Sequence, residues 1–141
     1  MRTIVILALL LPLVAPAQHG VTGMWKTIDD NTGKPRSVVE ITDQGGRLQG
    51  RIVKLFRDPG EDPDPICDEC PDDRKDHKVI GLEIIRDLVR DGSEWADGTI
   101  LDPENGKVYD CKIWLEDGTL KVRGYVAFFF RTQTWLRYEG G

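Results

Sequence analysis

The stretch DPENGKVYDCKIWLEDGTL, residues 102–120, decides the fold. It opens on the turn Asp102-Pro103-Glu104-Asn105-Gly106-Lys107, where proline presets φ and Asn-Gly tolerates a positive φ. Tyr109, Cys111, Ile113 and Leu115 then fall at every second position, so they share one face of an extended strand. Glu116-Asp117-Gly118-Thr119 turns the chain again. A strand held between two tight turns has antiparallel neighbours, because a parallel partner needs a long crossover.

The same grammar extends in both directions. Upstream, Gly23-Met24-Trp25 opens a first strand, and Asp29 to Pro35 is turn chemistry. Ser37 to Thr42 alternates, with Val39 and Ile41 on one face; Asp43-Gln44-Gly45-Gly46 is a hairpin turn; Arg47 to Phe56 places Leu48, Ile52 and Phe56 together. Val79 to Val89 reads two ways. Leu82 and Ile84 alternate, while Leu82, Ile85, Leu88 and Val89 also fit one helical face, and the reading adopted is a strand to Ile85 followed by a short turn or helical turn. Glu94 to Leu101 is a strand; downstream of the deciding stretch, Leu120 to Phe130 and Thr132 to Tyr138 complete the set. The expectation is an all-β fold: a small antiparallel up-and-down barrel of about eight strands, whose closure removes the sheet edges.

One segment breaks the pattern. Arg57 to Asp76 holds four prolines and nine acidic residues, and it carries Cys67-Asp68-Glu69-Cys70. It reads as one long exposed acidic loop.

The N-terminus has a different character. Arg2, the apolar run Ile4 to Val14 and the small-x-small Ala15-Pro16-Ala17 make a signal peptide over residues 1–17, ahead of a barrel domain at 18–141. The run is about half the roughly 20 residues of a transmembrane helix, which weighs against an uncleaved anchor. No second apolar run of membrane length follows, so the mature chain is expected not to span a membrane. The net charge of −5, one unit more negative without Arg2, argues against nucleic acid and against anionic lipid headgroups as electrostatic partners.

Export sets the cysteine chemistry. In an oxidising compartment the default for Cys67 and Cys70 is a local disulfide. A metal held by Cys67, Cys70 and His77, or a redox-active pair, are the alternatives. Asp68 and Glu69 between the sulfurs oppose the lowered thiol pKa that redox chemistry needs, and structural zinc wants four ligands. Cys111 shares a face with Tyr109 and Ile113 and reads as a buried thiol; pairing with the loop would need that loop to fold over the barrel mouth. The acidic residues of the loop, among them Asp58, Glu61, Asp62 and Asp64, lack EF-hand spacing and read as a solvated run. His19 and His77 sit in no nucleophile or zinc-protease motif, and no Gly-rich phosphate loop follows a strand, so no cofactor and no enzymatic activity are expected.

First and last strands of a closed meander are neighbours. A guanidinium from the last, Arg137 or alternatively Arg131, can therefore stack on Trp25 and close one barrel end. A Gly-x-Trp start and a terminal Arg resemble the lipocalin and calycin pattern. Closer still is a set of motifs: Asp30-Asn31-Thr32-Gly33-Lys34-Pro35, Leu48-Gln49-Gly50-Arg51-Ile52, Cys67-x-x-Cys70, Gly81-Leu82-Glu83-Ile84, Gly98 to Tyr109, Val122-Arg123-Gly124-Tyr125 and Arg131-Thr132-Gln133-Thr134-Trp135. Together they resemble the exported bacterial family catalogued as domain of unknown function 2147, over essentially the whole mature chain. The resemblance implies a lipocalin-like barrel in the periplasm of a Gram-negative cell and no particular reaction. Where a Gly-containing turn is expected before Arg131, this sequence has Phe128-Phe129-Phe130.

An eight-stranded barrel is wide enough either to be filled by its side chains or to hold one small ligand. The functional expectation is a binding protein for a small hydrophobic or amphipathic molecule. Its wall would be Val39, Ile41, Ile52, Phe56, Ile84, Tyr109, Ile113, Val122, Val126 and Phe128, and the loop pinned by Cys67–Cys70 would be a partial lid. The alternative is a filled barrel that works as a protein-interaction module through the acidic loop or the Phe128–Phe130 patch.

Overall fold

A computed structural model describes residues 10–11 and 20–140; the expected signal peptide thus lies almost wholly outside the described residues. Eight strands follow in order: β1 Gly23–Ile28, β2 Pro35–Gln44, β3 Arg47–Leu55, β4 Glu83–Asp91, β5 Glu94–Asp102, β6 Lys107–Glu116, β7 Thr119–Val126 and β8 Phe129–Arg137. Each pairs antiparallel with the next and β8 returns to β1, giving a closed meander barrel. Only one 3-10 turn, Asp72–Arg74, interrupts the all-β character of the described residues.

Strand direction sorts the connections onto two ends. The β1–β2 turn, the long β3–β4 loop, the β5–β6 turn and the β7–β8 turn lie at one end, here the mouth. The β2–β3, β4–β5 and β6–β7 turns lie at the other, the closed end. There Arg137 stacks its guanidinium 3.9 Å from the centroid of the Trp25 ring. Its Nη1 donates to the Thr22 carbonyl at 3.0 Å and its Nη2 to the Gly20 carbonyl at 2.8 Å, while Trp25 Nε1 donates to the Val21 carbonyl at 2.8 Å. Arg137 therefore takes this position, and Arg131 sits at the opposite end of β8.

Three sequence expectations change. The helical spacing of Leu82, Ile85 and Leu88 comes from a single bulged strand, β4, and the residue just before it; the strand runs on past Ile85 to Asp91. Asp87 on β4 and Asp97 on β5 both take φ near +62°, and Gly98 fits there because a Cβ would collide with the Arg86 carbonyl. The bulge shifts the inward phase, so Ile84, Ile85 and Leu88 are all buried, and Ile85 packs over Gly50. Second, β7 stops at Val126. A two-residue turn, Ala127-Phe128, joins it to β8, with Ala127 at φ +52° in place of the expected glycine.

Third, the segment from Arg57 to Asp76 is not wholly exposed. Cys67 and Cys70 are disulfide-bonded and buried. The loop leans across the mouth onto the β5–β6 turn: Cys67 Sγ lies 3.4 Å from the Pro103 carbonyl, and a Cβ at Gly106 would strike the Glu69 carbonyl. A bridge between Ile66 and Lys78 and the bond from Cys67 N to the His77 carbonyl, 2.7 Å, close the loop on itself. Arg74 is 4% exposed and anchors the base of the loop. It forks onto Asp72 at 2.8 and 3.0 Å and donates to the Glu83 carbonyl at 3.1 Å.

Candidate functional site

The barrel is packed at one end and hollow at the other. Toward the closed end, Trp25, Val39, Ile41, Leu48, Leu88, Ile113 and Leu120 are at most 1% exposed and form one apolar cluster. Toward the mouth, opposing strands leave a cavity of about 650 Å³. Ile52, Ile84, Leu101, Val122 and Trp135 give it an apolar floor. This volume lies in the range of small-molecule pockets, roughly 300–1,000 Å³.

The ten expected wall residues divide accordingly. Ile52, Phe56, Ile84, Tyr109 and Val122 line the cavity. Val39, Ile41 and Ile113 point inward but belong to the packed end. Val126 and Phe128 are outside, 52% and 97% exposed, and this corrects their assignment to the wall. The ladder between β6 and β7 ends at Asp110 with Tyr125, so Val126 and Phe128 lie beyond the paired sheet, and Gly124 is the last β7 residue that lines the cavity.

Sequence reading looked for apolar positions and so missed the polar part of the wall. Thr27 and Ser37 face each other with 2.7 Å between their hydroxyl oxygens, and the Ser37 amide donates to Thr27 Oγ1 at 3.1 Å. Gln133 accepts from Trp135 Nε1 at 3.1 Å and donates to Asp30 at 3.3 Å. Period two could have found them, since Thr27 follows Trp25 and Gln133 precedes Trp135 by two positions. No buried side-chain N or O among the described residues lacks a partner. The polar wall is thus self-satisfied and leaves the apolar floor as the surface a guest would cover.

The rim is charged and mostly paired. Arg36 bridges Glu104 and approaches Asp29 at 3.8 Å; Arg57 meets Glu61 at 3.2 Å; Arg131 meets Asp30 at 2.6 Å. Asp29 accepts the amides of Thr32 at 2.9 Å and Asn31 at 2.8 Å, and these bonds hold its carboxyl below the usual carboxylate range. The last rim pair also closes a seam. β1 and β8 share a ladder only at Trp25–Arg137 and Lys26–Leu136, both near the closed end. Nearer the mouth the two strands diverge, and Asp30 spans the gap to Arg131 and Gln133 by side chains alone.

Cys111 lies among the buried core residues as a free thiol, its pKa pushed up to about 12 by desolvation, so it is an inert packing group at neutral pH. Among the described residues no three His, Cys, Asp or Glu side chains are grouped to hold a metal ion. Cys67 and Cys70, which a metal would need as thiolates, are bonded to each other.

With this geometry in view, residues 23–137 match the family described as "Uncharacterized protein conserved in bacteria (DUF2147)". The chain belongs to this family. No curated protein matches it. Among solved structures the DUF2147 chain is similar to protein HP1028 from the human pathogen Helicobacter pylori, described as belonging to the lipocalin family. The TM-score is 0.70 with 17% sequence identity, over 84% of this chain and 82% of that one. At this identity the likeness is one of fold, and the fold of this DUF2147 chain is lipocalin-like. No helix among the described residues is long and apolar enough to cross a membrane, and the disulfide is compatible with export.

Proposed function

We propose that this protein is a periplasmic binding protein for a small amphipathic molecule, held without covalent chemistry in the mouth half of the barrel. The observation that carries the reading is the cavity itself: about 650 Å³ with an apolar floor and a charged rim. An apolar body would cover Ile52, Ile84, Leu101 and Val122, gaining roughly 25 cal/mol for each Å² of apolar surface removed from water. A polar head would remain at the rim among Arg36, Arg57 and Arg131. The loop pinned by Cys67–Cys70 leans over the mouth and serves as a partial lid. The lipocalin-like fold supports the same reading, because its relatives in architecture are open-ended barrels.

The test is native mass spectrometry of protein purified gently from its own periplasm, then titration with a dansyl-labelled fatty acid. A small-molecule adduct released by organic solvent, with saturable uptake of the probe, is the expected result. Val122→Trp, which places an indole on the floor, should abolish uptake while leaving the fold intact. A clean apo mass together with no probe uptake would sink the proposal.

A further inference from the structure

The β7–β8 hairpin carries an apolar feature that the cavity does not use. Phe128, Phe129 and Phe130 are 97%, 83% and 65% exposed, and Val126 across the turn is 52% exposed. None of them lines the cavity or joins the core cluster. The tip is unpaired on both edges: β6 pairs with β7 only as far as Tyr125, and β1 pairs with β8 only at Arg137 and Leu136. Successive strand residues alternate faces, so Phe129 and Phe130 project to opposite sides, with Phe128 at the apex. A protein socket would have to enclose both faces of this tip at once. A lipid bilayer interface offers an apolar medium on every side.

Charge around the tip fits the same medium. Arg123 lies 4.4 Å from the centroid of the Phe130 ring, and among the described residues it makes no ion pair. Arg131 follows directly and keeps a largely exposed side chain, although it pairs with Asp30. Two guanidinium groups below an apolar tip sit at the level of lipid phosphates. The acidic β3–β4 loop leaves the barrel four strands away and leans onto the β5–β6 turn, so contact with the bilayer is confined to the hairpin tip and its two arginines. Pairing of the free β8 edge with a second copy is disfavoured, because that edge runs through Arg131-Thr132-Gln133-Thr134 while the apolar side chains are confined to the tip.

We propose that the Phe128–Phe130 hairpin docks the protein, by its tip, on a lipid bilayer surface. Docking stands apart from the ligand reading: it needs no guest in the cavity, and it is measured separately.

The experiment is co-sedimentation of the mature protein with vesicles of phosphatidylethanolamine containing a minority of phosphatidylglycerol. Wild type should partition onto them, and Phe128→Ser with Phe129→Ser should weaken partitioning by about tenfold per ring removed. Both sites are exposed, so thermal unfolding and dansyl fatty acid uptake without vesicles should be unchanged in this variant. A second readout uses Phe128→Cys labelled with an environment-sensitive dye. Cys111 is buried and Cys67–Cys70 is bonded, so the introduced thiol alone reacts, and its emission should shift to the blue on adding vesicles. Absence of vesicle binding by wild type overturns the proposal, as does equal binding by the Ser variant. A concentration-dependent dimer of the wild type that the Ser variant loses, with no dye shift on vesicles, overturns it in favour of a second copy of this chain.

Discussion

The two ends of the β1–β8 seam make the barrel's asymmetry plain. At the closed end the strands are joined by backbone pairing, by the Trp25–Arg137 stack and by the Tyr138 amide donating to the Met24 carbonyl at 3.0 Å. At the mouth the same two strands are joined by Asp30 reaching Arg131 and Gln133. The first junction seals a core whose residues are fully buried; the second borders a cavity and open solvent. The difference separates two tasks within one sheet. Close packing at one end supplies the stability that lets the other end stay hollow, since an unfilled interior forfeits the dispersion contacts that packing provides.

Truncation should therefore cost unequally along the barrel. Trp25→Ala leaves a large void in the packed end and should destabilise by about 3–5 kcal/mol, whereas Ile84→Ala on the cavity wall should sit near 2 kcal/mol, because one side of Ile84 already faces open space. Chemical denaturation of both variants measures this, and equal losses would erase the distinction between the ends. Next in size, replacing Cys67 and Cys70 together by Ser should cost about 2 kcal/mol, the entropy of closing so short a loop, with the effect confined to the mouth. Hydrogen exchange should show loss of protection at the Cys67 and Val79 amides, and none at the closed end.

A smaller effect is expected from Asp30→Asn. The pair with Arg131 is exposed, and such pairs contribute at most about 1 kcal/mol to stability. Amide exchange should nevertheless quicken across Arg131 to Gln133 while Leu136 and Arg137 are unaffected. If the whole of β8 responded together, the seam would be one unit and the comparison would fail.

The smallest effect is that of pH. Hydrogen bonds and charge from Arg86 hold the Asp73 carboxyl well below its ordinary 3.8, and the Arg74 fork lowers that of Asp72. A depressed folded-state pKa stabilises fully above the unfolded value and is lost as pH falls through the folded one. The β3–β4 loop should thus keep its anchoring from neutral pH down to about pH 4 and loosen only in stronger acid. Circular dichroism and exchange of the loop amides across that range check the sign; loosening between pH 7 and pH 5 would contradict it.

Much of this architecture was legible beforehand. Turn chemistry at Asp43–Gly46, Asp102–Lys107 and Asp117-Gly118 bounded the strands, because tight turns are written in a few adjacent residues. The short spacing of Cys67 and Cys70 admitted a local bond for the same reason. The site was half legible: period two named Ile52, Phe56, Ile84, Tyr109 and Val122, yet it also named Val126 and Phe128, which lie beyond the rim.

By itself, then, the sequence determined the number and order of the strands, the antiparallel meander and the inward face of most of them, all of which depend on neighbours within a few positions. Tertiary structure alone decided where the barrel is full and where it is hollow. It also decided that the acidic loop covers the mouth, that Asp30 spans the open seam and that the phenylalanine hairpin projects. Alternation says which way a side chain points. Only the closed ring, with its bulges at Asp87 and Asp97 and its uneven strand lengths, sets what stands opposite and how far away.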